Sequence, residues 1–187
     1  MNFQSIAPHR RMQGFTMIEL IVVIVILGIL AAVALPRFTN IQRDARLAKL
    51  NAARGAVQAA AGMIHGVALA RGGVVDAAGC PANVGPGPNP ANNIVNVCTE
   101  SGRIAIVNAY PTAALAGIIN ASGISPTWNP NAAQLAADGY AVIPGNPIRV
   151  RVLGGGVAAA DCSFTYTAAP AANTAPAISA VINPNNC

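Results

Sequence analysis

Hydrophobic positions are concentrated near the start of the chain, in a run from Phe15 to Leu35 that holds a single charged residue, Glu19. A helix of these 21 residues would be about 31 Å long, close to the thickness of the hydrocarbon core of a bilayer. The pattern therefore predicts a membrane-spanning helix. A basic leader ending at Gly14 precedes it, and a generic membrane anchor needs neither that leader nor a carboxylate near the start of the apolar run.

Helical periodicity continues beyond the apolar run, where apolar or small residues recur at three- and four-residue steps on two stripes. The first stripe comprises Ile41, Ala45, Ala48, Ala52, Gly55, Ala59 and Met63, and the second comprises Leu47, Leu50, Val57, Ala61 and Ile64. Two stripes predict a helix buried on two sides, one against its own head and one against fellow subunits. A helix sunk in a single domain explains the later half equally well. Gly66, Gly72 and Gly73 are expected to end the helix.

Two residues weaken this helix locally. Pro36 removes one backbone hydrogen bond and crowds the carbonyl of Ala32, so we expect the helix to kink or open there. Gly28 is one of the poorest helix formers. The interval between Gly28 and Pro36 is therefore the predicted weak part of the helix.

Short elements separated by turns follow Gly73. The expected strands are Arg103–Asn108, Tyr140–Ile143, Ile148–Leu153 and Ser163–Thr167, with a weaker one over Ala177–Ile182. Two short helices are expected, Thr112–Ile119, capped by Thr112, and Asn131–Ala137. The predicted fold class is α+β, a long N-terminal helix with a protruding apolar half, packed on a small antiparallel sheet head. The predicted divisions are a leader (1–14), an apolar helix (15–36), an amphipathic half (37–68) and a head (69–187).

Basic residues accumulate just after the apolar run. Between positions 37 and 71 there are six of them against one acid, Asp44. A basic segment beside an apolar one is typical of contact with anionic head groups, and nucleic acid is the sharper alternative. Head groups are favoured because no aromatic platform accompanies these residues.

All four cysteines, Cys80, Cys98, Cys162 and Cys187, lie after the apolar run and none forms a C-x-x-C pair. Zinc is therefore not expected, and an even count in a loop-rich region indicates two disulfides in an oxidising compartment. Such disulfides would put the head outside the cytoplasm and the leader inside. Four cysteines allow three connectivities. Sequential pairing, Cys80 with Cys98 and Cys162 with Cys187, is favoured because it would staple two loops that have little core of their own.

A secretory signal is the competing interpretation of the N-terminus. Ala32-Val33-Ala34 resembles a signal-peptidase site, and cleavage there would release a soluble domain starting at Leu35. The length of the apolar run and the carboxylate within it argue against this. N-terminal sequencing of the mature protein distinguishes the two, because it would begin with Phe15 or with Leu35.

Residues able to perform catalysis are few, so an enzyme is not expected. His65 stands alone, and the acids of the second half are scattered without paired-carboxylate or metal-ligand spacing. No nucleophile elbow, phosphate loop or dinucleotide fingerprint is present. We expect no catalytic residue, no cofactor and no metal.

Glu19 needs an explanation of its own, because a charge within a bilayer costs about 2.5–3.5 kcal/mol and usually has a partner. One interpretation is an acid near the interface that is protonated or snorkels. The other is an amine partner. Cleavage between Gly14 and Phe15 would create an α-amino group one helical turn away, and a neighbouring helix displaced by one turn would bring its own amine to Glu19. The carboxylate would then fix the register between subunits.

The stretch Gly14-Phe15-Thr16-Met17-Ile18-Glu19-Leu20, with the apolar run, Gly28 and Pro36, resembles the N-terminal signature of type IV pilins and of type II secretion pseudopilins. Two later stretches resemble mannose-sensitive haemagglutinin-type pilins. They are Ala109-Tyr110-Pro111-Thr112-Ala113 with Gly117-Ile118, and Cys162-Ser163-Phe164-Thr165-Tyr166-Thr167 ahead of Cys187.

The resemblance implies that a prepilin peptidase cuts after Gly14 and methylates the amine of Phe15. The mature subunit would wait in the inner membrane as a single-pass protein with a periplasmic head. An assembly ATPase and a platform protein would then extract it into a helical homo-oligomer outside the cell, with Glu19 neutralising a neighbour's Phe15 amine. Family filaments also loosen the helix between positions matching Gly28 and Pro36.

The expected function is a structural subunit of an extracellular type IV pilus, serving adhesion, motility or surface attachment. The alternative is a minor pilin or pseudopilin in DNA uptake or type II secretion, with DNA bound by the basic helix or by Arg149 and Arg151. The pseudopilin branch is weakened because their heads often carry a calcium loop, and this chain lacks an acid cluster to build one.

Overall fold

The computed structural model describes residues 15–72, 95–99, 102–154 and 162–187, and for residues 36–40 it describes the backbone only. The chain divides into two compact units, the first ending at Ile41 and the second extending from Gln42 to Cys187. The expected leader, 1–14, and the loop around Cys80 lie outside the described residues.

A single long helix, α1 (Met17–Arg71), comprises 55 residues. The expected local opening at Pro36 is not present, because the assigned helix continues through that residue. A proline removes only one bond of the ladder, and the helix resumes on either side of it. The helix also extends beyond Gly66 and ends at Arg71. The next residue, Gly72, has a φ of +56°, the left-handed conformation that terminates many helices.

Within the second unit, one stripe of α1 is buried and the other is exposed. Leu50, Val57, Ala61 and Ile64, of the second stripe, are buried, and Leu47 packs against the same core. The first stripe is exposed from Ala45 to Met63, and Met63 itself is 71% exposed. The interpretation of a helix sunk in one domain is therefore wrong, because one face of α1 packs on the head while the other remains uncovered.

Among the described residues, seven strands form two antiparallel sheets rather than the single sheet expected. The first sheet has the order β1 (Asn96–Thr99), β2 (Gly102–Val107) and β3 (Tyr110–Pro111). The second has the order β4 (Tyr140–Ile143), β5 (Ile148–Val152), β6 (Ser163–Thr167) and β7 (Ala177–Ile178). The predicted strands at β2, β4, β5 and β6 are confirmed within a residue or so at each end, β7 is shorter than expected, and β1 and β3 were not foreseen. The α+β class is confirmed.

The expected helix Thr112–Ile119 is wrong. A short helical segment over Leu115–Ile119 is kinked at Gly117 and passes into a short helix α2 (Asn120–Ser122), while Thr112 caps neither. The reason is Gly117, whose φ of −103° and ψ of −105° are non-helical. A Cβ at this position would overlap the hydroxyl and the carbonyl oxygen of Thr112. The helix expected over Asn131–Ala137 is confirmed as α3 (Ala132–Ala137), with Asn131 and Gln134 forming a capping box.

The core of the second unit joins α1 to the four-stranded sheet. Leu50 and Val57 pack with the inward residues of β5 and β6, and alternate residues of β5 are buried. A smaller cluster joins Ile64 of α1 to Val97, Ile104 and Ile106 of the three-stranded sheet. The helix is therefore the element on which both sheets pack.

One buried hydrogen bond connects the two sheets directly. The hydroxyl of Tyr166 on β6 donates to the carbonyl oxygen of Pro111 on β3 at 2.7 Å, and the tyrosine is fully buried. At the end of the chain, Cys162 and Cys187 form a disulfide with Cα atoms 4.7 Å apart. Both features hold β6 to segments distant in sequence.

Candidate assembly site

The N-terminus of α1 is closed by a reciprocal pair, Thr16 and Glu19. The backbone N–H and the hydroxyl of Thr16 both donate to Glu19 Oε2, at 2.9 and 2.7 Å. The backbone N–H of Glu19 donates in turn to the Thr16 hydroxyl oxygen at 3.3 Å. This is a capping box, in which two side chains satisfy amide groups that a helix start would otherwise leave unpaired.

The capping box gives Glu19 a structural partner, Thr16, at the start of its own helix. The signal was present, because Thr-x-x-Glu ahead of an apolar run is the sequence pattern of a capping box. Both groups of Thr16 donate to Glu19 Oε2, and Glu19 Oε1 accepts no hydrogen bond from residues 15–72. One carboxylate oxygen therefore orients the side chain, and the other makes no hydrogen bond among these residues.

The helix that follows is apolar and uncovered within its unit. Met17–Leu35 is long and apolar enough to cross a membrane, and none of it is buried. Phe15, immediately before the capping box, is 82% exposed. Around Glu19 the side chains of Phe15, Ile18, Val22 and Val23 line a shallow apolar groove. Such a surface is stable only in lipid or against other apolar helices.

A second uncovered surface is the exposed stripe of α1 from Ala45 to Met63. Its residues are mostly alanine and glycine, which permit close approach of another helix, and Met63 projects at its end. The stripe contains no charged residue. Its composition suits packing against another helix better than contact with water.

Three cations of α1 hydrogen-bond to backbone carbonyl oxygens of the head. Arg46 Nη1 donates to Cys187 at 2.7 Å, Lys49 Nζ to Asp138 at 2.7 Å, and Arg54 Nε to Ser179 at 2.7 Å. Lys49 Nζ also lies 4.4 Å from the ring centre of Tyr140. These charge-assisted bonds tie the helix to the sheet. The basic character of α1 is thus largely used within the molecule.

The remaining residues singled out by sequence are distributed as follows. Gly28 is exposed, with open space where a Cβ would lie. Gly14 lies outside the described residues, as does the side chain of Pro36. Cys98 is disulfide-bonded, and Cys80, its expected partner, lies outside the described residues.

His65 has a structural environment. Its ring stacks on Tyr110 with centroids 3.9 Å apart, and its Nδ1 lies 3.2 Å from the carbonyl oxygen of Ala109. Because a carbonyl only accepts, Nδ1 carries the hydrogen. No group of three metal-binding side chains occurs among the described residues.

Two comparisons with known proteins agree with this geometry. The family model described as the prokaryotic N-terminal methylation motif matches residues 9–35, a range that includes Phe15, Glu19 and Gly28. The type IV narrow pilus major component PilA5 of Thermus thermophilus is 50% identical over 50 residues. That match covers 27% of this chain and 43% of the relative, less than half of its length. No solved structure matches the chain significantly.

These matches show that the N-terminal region of this chain is similar to that of type IV pilins, which are structural proteins. The family model covers residues 9–35 only, so the head lies outside it.

Proposed function

We propose that this chain is a structural subunit of an extracellular type IV pilus, which is held in the inner membrane by its N-terminal helix and then polymerises through it. The observation that carries the proposal is the wholly uncovered apolar surface of Met17–Leu35, beginning at an oriented carboxylate. The same surface is stable in two successive environments, the bilayer and a bundle of identical helices. Adhesion, motility or surface attachment would be served by the displayed head.

Assembly begins, in this proposal, with cleavage between Gly14 and Phe15 by a prepilin peptidase and methylation of the new amine. Glu19 of one subunit then neutralises the Phe15 amine of a neighbour. The capping box supports this step, because Thr16 holds Oε2 and leaves Oε1 for a partner. An amine left unpaired in an apolar filament core would cost about 3–5 kcal/mol per subunit, a penalty repeated along the filament.

The interval from Gly28 to Pro36 is proposed to loosen during transfer from the bilayer to the filament. Gly28 makes no side-chain contacts that would resist unwinding, and Pro36 removes one bond from the ladder. The proposed divisions are the leader (1–14), the polymerisation helix (15–36), the amphipathic half (37–68) and the head (69–187). The proposed machinery is an assembly ATPase with a platform protein.

The test replaces Glu19 by Gln and by Ala in cells that express the full chain. We expect membrane insertion to be retained and surface filaments seen by electron microscopy to be lost. Asp44→Asn is the matched control, because Asp44 forms only an exposed ion pair with the adjacent Arg43 at 2.9 Å. Mass spectrometry of the subunit distinguishes failed cleavage after Gly14 from failed assembly. Normal filaments from both Glu19 variants would refute the register-fixing role.

A minor pilin or pseudopilin, acting in DNA uptake or protein secretion, is the second candidate. The contacts of α1 argue against DNA as its partner, since Arg46, Lys49 and Arg54 each bind a carbonyl of the head. Arg149, half-exposed on β5, is a cation of the head that remains for such a role. Salt-dependent DNA binding by the full chain would favour this candidate.

A further inference from the structure

The strand β4 lies at one end of the four-stranded sheet, so only one of its two sides is paired with a neighbouring strand, β5. None of its residues is buried, and Ile143 is 39% exposed. The strand contains no charged residue and no proline, which are the residues that usually prevent an edge strand from pairing. Its sequence, Tyr-Ala-Val-Ile, is instead rich in residues that favour strands. The edge at β4 is therefore able to receive another strand.

The backbone groups of β4 are divided between its two sides. The N–H of Leu153, which follows β5, donates to the carbonyl oxygen of Gly139 at 3.0 Å. Because alternate residues of an antiparallel strand bond to the same neighbour, the backbone groups of Ala141 also face β5. The N–H and C=O groups of Tyr140 and Val142 therefore point to the outer side, where no hydrogen bond joins them to a residue that the structure describes.

This edge is complementary to a second copy of itself. When two copies of β4 run antiparallel with Ala141 opposite Ala141, Tyr140 of each copy lies opposite Val142 of the other. Both opposed pairs then exchange N–H···O=C bonds in each direction, so every outward donor meets an outward acceptor. The nearest charged residue along the chain, Asp138, would lie opposite Pro144 and about 20 Å along the strand from its own copy. The pairing therefore matches partial charges and brings no like charges together.

We propose that β4 is a site of self-association, at which two copies of this chain join their four-stranded sheets into one continuous sheet. The twofold axis of this pairing is normal to the sheet and passes between the two Ala141 residues. Buried residues of α1 from Leu50 to Ala61 pack on the inner face of the sheet, so this part of the helix lies along the sheet. The rotation therefore reverses the direction of that part of α1 in the second copy.

The reversed direction identifies which copies can pair. Neighbouring subunits of one filament share a direction, so the paired copies belong to two filaments that run in opposite directions. The contact area of one such pair is small and its affinity is low, but many copies along two filaments act together. The link between filaments rests on the proposed function, whereas the pairing of two heads does not require a filament.

Cysteine cross-linking of the full chain in detergent micelles tests the pairing and its register. In the proposed arrangement the Cα atoms of the two Ala141 residues are about 4.5 Å apart, a distance that a disulfide can span. Ala141→Cys should therefore give a disulfide-linked dimer under mild oxidation. Ile143→Cys is the matched control, because it lies on the same strand and the same face and is more exposed. Its two copies would be about 13 Å apart along the strand, beyond the reach of a disulfide.

We expect at least about tenfold more dimer from Ala141→Cys than from Ile143→Cys, with mass spectrometry locating the bond between the two introduced cysteines. Adding Val142→Pro to Ala141→Cys should abolish most of the dimer, because proline removes the outward N–H and none of the bonds to β5. Equal cross-linking at positions 141 and 143 would overturn the proposal, even if the proline variant failed to fold. Dimer formation in micelles by a chain that makes no filaments in cells would support the pairing and count against the proposed function alone.

Discussion

Removing one hydroxyl from the interior should measurably loosen the head. Tyr166 is fully buried, and its hydroxyl donates to the Pro111 carbonyl oxygen at 2.7 Å, which joins β6 to β3. Tyr166→Phe keeps the ring and deletes this bond. A buried acceptor left without its partner costs about 1–3 kcal/mol. A loss near 2 kcal/mol would lower the melting temperature by about 4–8 °C in a chain of this size.

The assay is thermal and urea unfolding of the full chain in micelles, followed by the fluorescence of Trp128. Tyr140→Phe is the matched control. Its hydroxyl makes no hydrogen bond to the residues described, and its ring keeps the contact with Lys49. We expect a change below about 0.5 kcal/mol for the control. Equal destabilisation by the two variants would refute the reasoning, because the bond between the sheets would then contribute nothing specific.

Alkaline pH provides a second measurement on the same residue. Burial, with a smaller contribution from Tyr110, raises the pKa of Tyr166 well above its usual value. The unfolded chain loses this proton near pH 10 while the folded chain keeps it. The stabilising contribution is therefore complete below about pH 10 and falls above it by about 1.4 kcal/mol per pH unit. Tyr166→Phe should flatten this alkaline decline, and an unchanged slope would contradict the assignment.

Two further predictions concern the head. Gly117→Ala should destabilise the head by about 1–3 kcal/mol in urea unfolding, because a Cβ would overlap Thr112. The control, Gly62→Ala, lies on an exposed and open helix face and should stabilise the head by about 0.5–1 kcal/mol. A Gly117→Ala variant more stable than Gly62→Ala would contradict the predicted overlap. Replacing Cys162 and Cys187 by serine should cost about 3.5 kcal/mol for their 25-residue separation. A disulfide variant with an unchanged urea midpoint would show that this loop is restrained by other contacts.

The parts of the fold that depend on local pattern were predictable. Residue spacing and turn chemistry predict the end of α1 before Gly72, the strands β4, β5 and β6, and the capped helix α3. The two stripes of α1 were visible in sequence as well. What the pattern left open was which stripe is buried. Leu and Val bury more apolar area per residue than Ala and Gly, so the second stripe packs on the sheets and the first stays exposed.

The candidate site was predictable only in part. Phe15, Glu19 and Gly28 stood out because of their types and spacing, but the capping bond of Thr16 was missed although its pattern was present. The internal use of Arg46, Lys49 and Arg54 could not be foreseen. Their acceptors are backbone carbonyls 89 to 141 residues away, and a carbonyl has no sequence signature.

The sequence by itself determined the long helix, its apolar first part and the α+β class, because each depends on periodicity within a short window. Only the tertiary structure decided that the strands form two sheets joined through Tyr166. It also left the outer side of β4 without a neighbouring strand among the described residues. These outcomes depend on which surfaces meet across the chain, and that is decided by the packing of the whole core rather than by any local segment.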